Sequence, residues 1–377
     1  MSTARPGMRV HRMVPGAVHP TDIALGPDHP TLDGLPQLAL TASADGVVTE
    51  AEWLPGTVHR GAEKLFESRD YRQILMLVDR HDWLSAFCSE LGVAVGVERA
   101  LGLTPPPRAQ HLRILLAELT RIAHHLAFLA PLPGRLPAAW RTAAWAWRGE
   151  VLDLIEAATG HRVHPMFCQV GGVRADVTTE WLDLVSGARS GWRVAALRSD
   201  DLLGLLDASY AGVGVLTAAD AQAYGASGPV ARASGVDLDL RRDDPYLPYP
   251  EPTVPLRSAG DAAARIDLLV DEIEVSLALV DWAVGRLRES GGEPVSVRLP
   301  KVIRVPEGSS YTWTENPSGI NGYLLVSRND RTPWRLKLRS AGFGNAAALS
   351  AALPGTSLPD LPAALAGFLL ICGDVDR

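Results

Sequence analysis

Residues Gly96 to Leu126 read GVERALGLTPPPRAQHLRILLAELTRIAHHL, and this stretch decides the class of fold. From Ala109 to Leu129 apolar residues recur three and four apart, the spacing that lines one face of an α-helix. Thr104-Pro-Pro-Pro interrupts the pattern just before, because proline lacks the N–H donor and clashes with a preceding helical turn. The helical spacing returns from Ala138 to Ala158 after a second break at Pro131-Leu-Pro-Gly, and Gly171-Gly172 makes a third. Between Ala62 and Leu206 the chain is therefore expected to form four or five long helices with short connections, which is the signature of a bundle.

Toward the N-terminus, Gln37 to Ala44 and Val47 to Leu54 are short, partly alternating runs flanking Asp45-Gly46, the pair that a two-residue primed turn requires. They predict a hairpin, so a small sheet follows a Pro/Gly/His-containing lead. Toward the C-terminus, Thr217 with Asp220 reads as a helix N-terminal capping pair and Gly225 as the stop of that short helix. Ser227 to Gly260, rich in Gly, Pro, Asp and Arg, reads as an irregular excursion, and Asp261 to Arg288 as another helix. The remainder mixes strand-like runs (Val295 to Leu299, Gly322 to Ser327, Trp334 to Leu338) with short helical stretches after Phe343 and Pro359. The expected class is α+β, mainly α, in three portions. These are 1–60, the lead and small sheet; 61–290, the helix bundle with its excursion near 227–260; and 291–377, the mixed C-terminal portion.

The 377 residues are 47% hydrophobic, enough to bury a sizeable core. A net charge of −7 gives no electrostatic footprint for nucleic acid or an anionic membrane surface. Cys88, Cys168 and Cys372 are scattered, so neither a disulfide framework nor a cysteine metal site is indicated and a reducing cytoplasmic setting fits. No apolar segment follows Arg5, Arg9 and Arg12, and Leu361 to Cys372 is too short to span a bilayer, so membrane association is expected only through partners. There is no HExxH, no P-loop lysine and no dinucleotide fingerprint among Gly212, Gly214 and Gly225, so neither NADH nor flavin is expected on this chain. His124 and His125 point about 100° apart on a helix and cannot share a metal; packing, capping or solvent contact is the expectation. Gly171-Gly172 reads as a close backbone approach between helices, His164 alone as a core or surface histidine, and Arg113 alone as salt-bridged to a bundle carboxylate such as Glu118.

Further strings keep a fixed order along the chain: GPDHP (Gly26 to Pro30), VHRGAEKLF (Val58 to Phe66), VDRHDWLS (Val78 to Ser85), YGASGPVARASGV (Tyr224 to Val236), RRDDPY (Arg241 to Tyr246) and GDVDR (Gly373 to Arg377). With the opening stretch they resemble, from Gly26 to Arg377, the D subunits of NADH-quinone oxidoreductase, respiratory complex I, as a divergent member. The resemblance implies a fold like the large subunit of nickel-iron hydrogenases. A nickel site of that kind needs two pairs of thiolates. No Cys lies near the HRG segment and Cys372 stands alone at the other end, so no metal is expected on this chain.

What the resemblance implies for function is a non-autonomous subunit of a proton-translocating NADH:quinone oxidoreductase, peripheral, on the cytoplasmic side of the cell membrane. It would pack against an iron-sulfur subunit and other peripheral-arm subunits, reach the membrane arm indirectly, and form with the iron-sulfur subunit the cavity where quinone, the substrate, is reduced. The iron-sulfur cluster and flavin would sit on partners.

The family places a His four residues after the HP histidine and a Tyr in an RxDY string as donors to quinone; here those positions are Asp33 and Trp83. An ionised Asp33 only accepts hydrogen bonds, although burial that raises its pKa would restore a donor, and Trp83 gives one N–H but cannot cycle a proton as a phenol can. Gln169 stands for the usual Arg before PGGV, and Phe368-Leu369-Leu370 for the usual LDP. Arg60, twenty-three residues before Trp83, keeps the family spacing, and Arg113 and His164 match positions that face the partner's cluster. The departures leave an alternative open, a divergent paralogue kept as a structural or alternative-acceptor subunit without quinone reduction.

Overall fold

A computed structural model describes residues 9–13, 21–24, 37–56, 58–133, 137–192, 197 and 200–377. Strands β1 (Arg9–Met13), β2 (Thr21–Ala24), β3 (Gln37–Ala42) and β4 (Val48–Leu54) form a sheet ordered β2-β1-β3-β4, parallel only between β1 and β3. The hairpin is where the sequence puts it, but its turn is longer than two residues. Gly46 N–H donates to Ser43 O at 3.0 Å and Ser43 N–H to Val47 O at 2.8 Å, so Ala44-Asp45-Gly46 form the loop, with Gly46 left-handed at φ 77°. The Ser43 hydroxyl favours this form by accepting from Val47 N–H at 3.2 Å.

The helices of the bundle are α1 (Ala62–Phe66), α2 (Tyr71–Val78), α3 (Ala86–Leu101), α4 (Pro107–Leu129), α5 (Ala138–Thr159), α6 (Thr179–Gly191) and α7 (Asp200–Ser209). After them come α8 (Ala218–Ala223), α9 (Gly228–Arg232), α10 (Leu240–Asp243) and the long α11 (Ala262–Glu289). Helix α4 is the axis: it packs along α11, α5 and α3, and from Leu112 to Leu129 every residue is buried, charged ones included. Such all-round burial explains why its apolar stripe is broad rather than narrow. The capping pair forms at α8, where Thr217 Oγ1 accepts from Asp220 N–H at 3.1 Å, and Asp261 caps α11 by accepting from Ala264 N–H at 2.8 Å.

Two short strands, β5 (Cys168–Gln169) and β6 (Gly172–Val173), make a tight hairpin between bundle helices. Its glycines do approach backbone closely, but against residues 295–297 rather than between helices. Gly172, at φ 149°, would drive a Cβ to 2.2 Å from Val295 O. The run from Val295 to Leu299 consequently contributes a single bridge, Gly172 to Ser296, and no strand of its own.

The last sheet is β7 (Gly308–Asn316), β8 (Gly319–Ser327) and β9 (Arg335–Arg339), antiparallel throughout. Strand β7 escapes the sequence pattern because its buried residues are Thr312, Thr314, Glu315 and Asn316, so alternation of apolar and polar residues is absent. Short helices α12 (Ala341–Ala347), α13 (Leu349–Ala352), α14 (Leu361–Leu365) and α15 (Cys372–Val375) close the chain, and the C-terminal Leu349, Leu353, Leu361 and Phe368 share a core with Leu38, Leu40 and Trp53 of the first sheet. None of the described helices is long and apolar enough to cross a membrane.

Gly172→Ala is expected to destabilise the chain by ~2 kcal/mol or more, since the added methyl meets a carbonyl and the left-handed backbone disfavours any side chain. Thermal unfolding of the purified variant checks this.

Candidate functional site

Residues from both ends of the sequence meet beside α2. The Asp376 carboxylate accepts from Gly56 N–H at 2.7 Å and Val58 N–H at 2.9 Å, and the His59 ring lies 2.8 Å from Asp376 O through Nδ1. His81 Nδ1 is 2.9 Å from Asp374 Oδ1, while Asp374 Oδ2 accepts from Gly342 N–H at 2.7 Å. Gly373 is pressed so closely onto the turn after α2 that a Cβ there would meet His81 O at 2.6 Å. Above this contact opens a pocket of about 320 Å³ walled by Arg60, Leu77, His81, Trp83, Asp376 and Arg377. Two of the residues singled out in the sequence, Arg60 and Trp83, are thus brought together; Asp33 lies outside the described residues.

Beneath the pocket Asp82 is wholly buried and caps the short 3-10 turn Trp83–Ser85, accepting from Ser85 N–H at 3.3 Å and from the Ser85 hydroxyl. Burial, reinforced by the Asp374 carboxylate, pushes its carboxyl up to about 7. Trp83 is half-buried and also borders a narrow cleft toward α4 and α5, with Arg148, Arg162 and Pro165.

Arg113 and His164 lie elsewhere and apart from each other in their contacts. Arg113 has no exposed side chain and is held by Glu98 of α3 in a two-pronged pair, 2.9 Å from Nη1 to Oε2 and 2.6 Å from Nη2 to Oε1. It also donates to Gln169 O at 2.9 Å and Gly172 O at 3.0 Å. Glu118 is not its partner, because residues five apart on a helix point about 140° away from each other. Glu118 instead accepts from Arg121, Arg241 and Ser276.

His164 is 27% exposed, with Nδ1 3.0 Å from Asp79 Oδ2, close enough for an ion pair but off the angle of a hydrogen bond. Asp79 Oδ1 accepts from Arg80 Nε at 3.1 Å, and the Arg80 side chain is 44% exposed. Asp79 therefore gathers one histidine and one arginine at the surface. The loop after His164 is fixed by Glu90, which accepts from Met166, Phe167 and Cys168 N–H at 2.7, 3.0 and 3.0 Å, and whose burial pushes its carboxyl up to about 8. Arg80 and His81 lie in the same VDRHDWLS string as Trp83, but the sequence reading gave neither a role. Asp374, 293 residues from His81, gave no spacing signal at all.

Among the described residues no three His, Cys, Asp or Glu converge as a metal site. Cys88, Cys168 and Cys372 are buried and form no disulfide, which does not fit the two thiolate pairs that a nickel centre requires. His124 and His125 are completely buried, their Nδ1 atoms 3.3 Å apart, with His124 Nε2 3.0 Å from Ser318 Oγ. Burial first, then neighbouring cations, lowers both well below the usual imidazole range, so they are neutral packing groups.

Asp82 supplies a pH test. Its carboxyl titrates near 7 in the folded chain and near 4 when unfolded, so the folded state carries the extra proton between those values. The stability this confers is complete below about pH 4 and is lost as pH rises through about 7. Asp82→Asn mimics the protonated form and keeps an acceptor for Ser85 N–H. It is expected to raise the unfolding temperature at pH 8 more than at pH 5, as scanning calorimetry at the two pH values would show.

The family model described as "Respiratory-chain NADH dehydrogenase, 49 Kd subunit" matches residues 139–302 and 295–377. The second D subunit of the NADH-quinone oxidoreductase of Salinispora tropica is 48% identical over 365 residues, covering 95% of this chain and 94% of that protein. The first D subunit of the Streptomyces coelicolor enzyme is 47% identical over 96% of this chain and 97% of its own length, and the D subunit of the Clostridium beijerinckii enzyme is 34% identical over 93% and 96%. With the thiolate pairs of a hydrogenase absent, and with likeness running over nearly its whole length, the chain belongs to the family of the 49-kDa, or D, subunits of NADH-quinone oxidoreductase.

Proposed function

We propose that the chain works as a peripheral-arm subunit of an NADH-quinone oxidoreductase and that, with an iron-sulfur subunit, it encloses the cavity where quinone is reduced. The observation that carries this reading is the pocket that joins Arg60 and Trp83 to the terminal GDVDR segment in a member of this family. Reduction of a quinone takes two electrons and two protons and passes through states with negative charge on the carbonyl oxygens. Arg60 supplies a cation against that charge, and Trp83 an N–H donor to an oxygen.

In this reading the electrons arrive from the partner's cluster, and His164 and Arg80, both part-exposed and joined through Asp79, are the groups that face it. Donor groups and positive charge beside a cluster favour its reduced form and raise its potential. Arg113, with no exposed atom of its own, acts one step back by fixing the loop 169–172 on which the interface would rest. Flavin and the other redox groups belong to partners, and contact with the cytoplasmic side of the membrane comes through them.

The reading is tested on the complex purified from native membranes. Co-purification with flavin and iron-sulfur subunits, together with NADH-to-quinone activity, supports it; co-purification without that activity assigns the chain to the alternative-acceptor role. In the active complex, Trp83→Phe, which removes the N–H donor, is expected to lower quinone turnover at least about tenfold. A redox titration followed by electron paramagnetic resonance is expected to show His164→Met lowering the nearest cluster's potential. Arg113→Met is expected to leave that spectrum unchanged while costing about 3–5 kcal/mol of stability, because Glu98 is left buried and unpaired.

A further inference from the structure

His81 sits in the pocket wall between Leu77 and Trp83 and is 4% exposed. One ring nitrogen is committed: Nδ1 lies 2.9 Å from Asp374 Oδ1, and Asp374 is itself oriented by Gly342 N–H at 2.7 Å. The other, Nε2, is buried and has no hydrogen-bond partner among the described residues. A buried polar atom left unpaired costs about 1–3 kcal/mol, so its persistence beside a pocket calls for a ligand. A carboxylate behind one ring nitrogen fixes the ring and stabilises the imidazolium, leaving the far nitrogen to do chemistry.

We propose that His81 is the residue of this chain that donates a proton to the quinone, in place of the family's phenol and imidazole. The inference rests on the quinone-reducing reading above. In the imidazolium form both ring nitrogens carry hydrogen. Nδ1–H stays on Asp374 while the Nε2–H bond breaks and an O–H bond forms at one quinone carbonyl. The two electrons come from NADH by way of the partner's cluster; the far carbonyl takes its proton from solvent, quinol leaves, and neutral His81 regains a proton from solvent. The His81 side chain lines the pocket while Nε2 itself is buried, so it reaches a carbonyl only after a shift of the wall or through one water, as is common for proton donors without substrate. The groups that face the ring are Asp374 and Asp82 beneath it and Arg60, Asp376 and Arg377 across the pocket. Trp83 then serves as a flat wall and single N–H donor, which explains how a chain without the family's Tyr retains a donor of protons at the same pocket.

The test uses the intact purified complex and two variants, His81→Gln and His81→Phe. Each is assayed for NADH-to-ubiquinone-1 and NADH-to-menaquinone-1 turnover, and for NADH-ferricyanide activity, which bypasses this pocket and reports assembly. Gln keeps a hydrogen-bonding side chain of similar size but transfers no proton. The expected result is ferricyanide activity at the wild-type level, quinone KM within about threefold and kcat lowered at least about tenfold in His81→Gln, with Phe no better. Wild-type quinone kcat in His81→Gln overturns the proposal, as does a parallel fall of ferricyanide and quinone rates in that variant, which marks His81 as structural. If the wild-type complex itself reduces ferricyanide but no quinone, it is the quinone-reducing reading that fails, a result distinguishable from failure of His81 alone.

Discussion

Three arginines and four carboxylates, all shut away from water, tie the bundle helices α4 and α11 to the excursion and to strand β7. Arg232 reaches Glu272 at 2.6 Å and Glu315 at 2.8 Å; Arg241 reaches Asp239 at 2.7 Å, Glu272 at 2.9 Å and Glu118 at 3.1 Å; Arg121 closes on Glu118 at 3.1 Å. The members come from α4, the excursion around α9 and α10, the long helix α11 and strand β7, so the excursion is anchored to the core at both of its short helices. Removing such charges from water is costly, and the pairing recovers that cost only in part, since Arg121 Nη1 and Arg232 Nε are buried with no hydrogen-bond partner among the described residues. The charges nearly balance. Burial raises the carboxyl of Glu315, helped by nearby Asp239, while for Asp239 burial is outweighed by the guanidinium groups of Arg241 and Arg232, which hold it far below the usual range. Glu315 is therefore the acid best placed to keep a proton.

The same device, a buried carboxylate serving backbone or guanidinium donors, recurs around the pocket and the loop after His164. Glu90 and Glu98, eight residues apart on α3, between them secure the loop that runs from His164 to Gly172, one through three backbone N–H groups and the other through Arg113 and Gly171 N–H at 2.7 Å. Asp374 and Asp376 do likewise for the pocket. Asp376 fixes the approach to Arg60 and Asp374 fixes His81. The 3-10 turn with Trp83 and Asp82 leads into α3, the same helix that holds the loop from His164 to Gly172.

Much of the fold was legible. The long helices follow from uninterrupted periodicity between proline breaks, and the cap at Thr217 follows from local chemistry that needs no knowledge of the rest of the chain. Illegible parts depended on partners distant in sequence. Strand β7 turns Thr312, Thr314 and Glu315 inward because Arg232 and the bundle receive them, so its pattern made no sense in isolation. Arg113 could be read as salt-bridged, yet the choice between Glu118 on its own helix and Glu98 on another was settled by helix geometry and by the loop carbonyls that complete its fork. Of the pocket, Arg60 and Trp83 were visible through the family strings. The His81–Asp374 pair was hidden, since no local feature tells an imidazole which carboxylate will stand behind it.

The sealed network of arginines also bears on how such a chain changes over generations. A surface charge can drift freely, but Arg241 has three acidic neighbours on two helices and its own excursion, and losing it strands all of them at once. Replacement at any one member is therefore tolerated only alongside matching replacements at others, a multi-step path with a deep intermediate trough. At the pocket, Arg60 is exposed and Trp83 half-buried, so an exchange at either leaves no buried charge stranded. Stepwise change is in this way physically easier at Arg60 and Trp83 than at any member of the buried network.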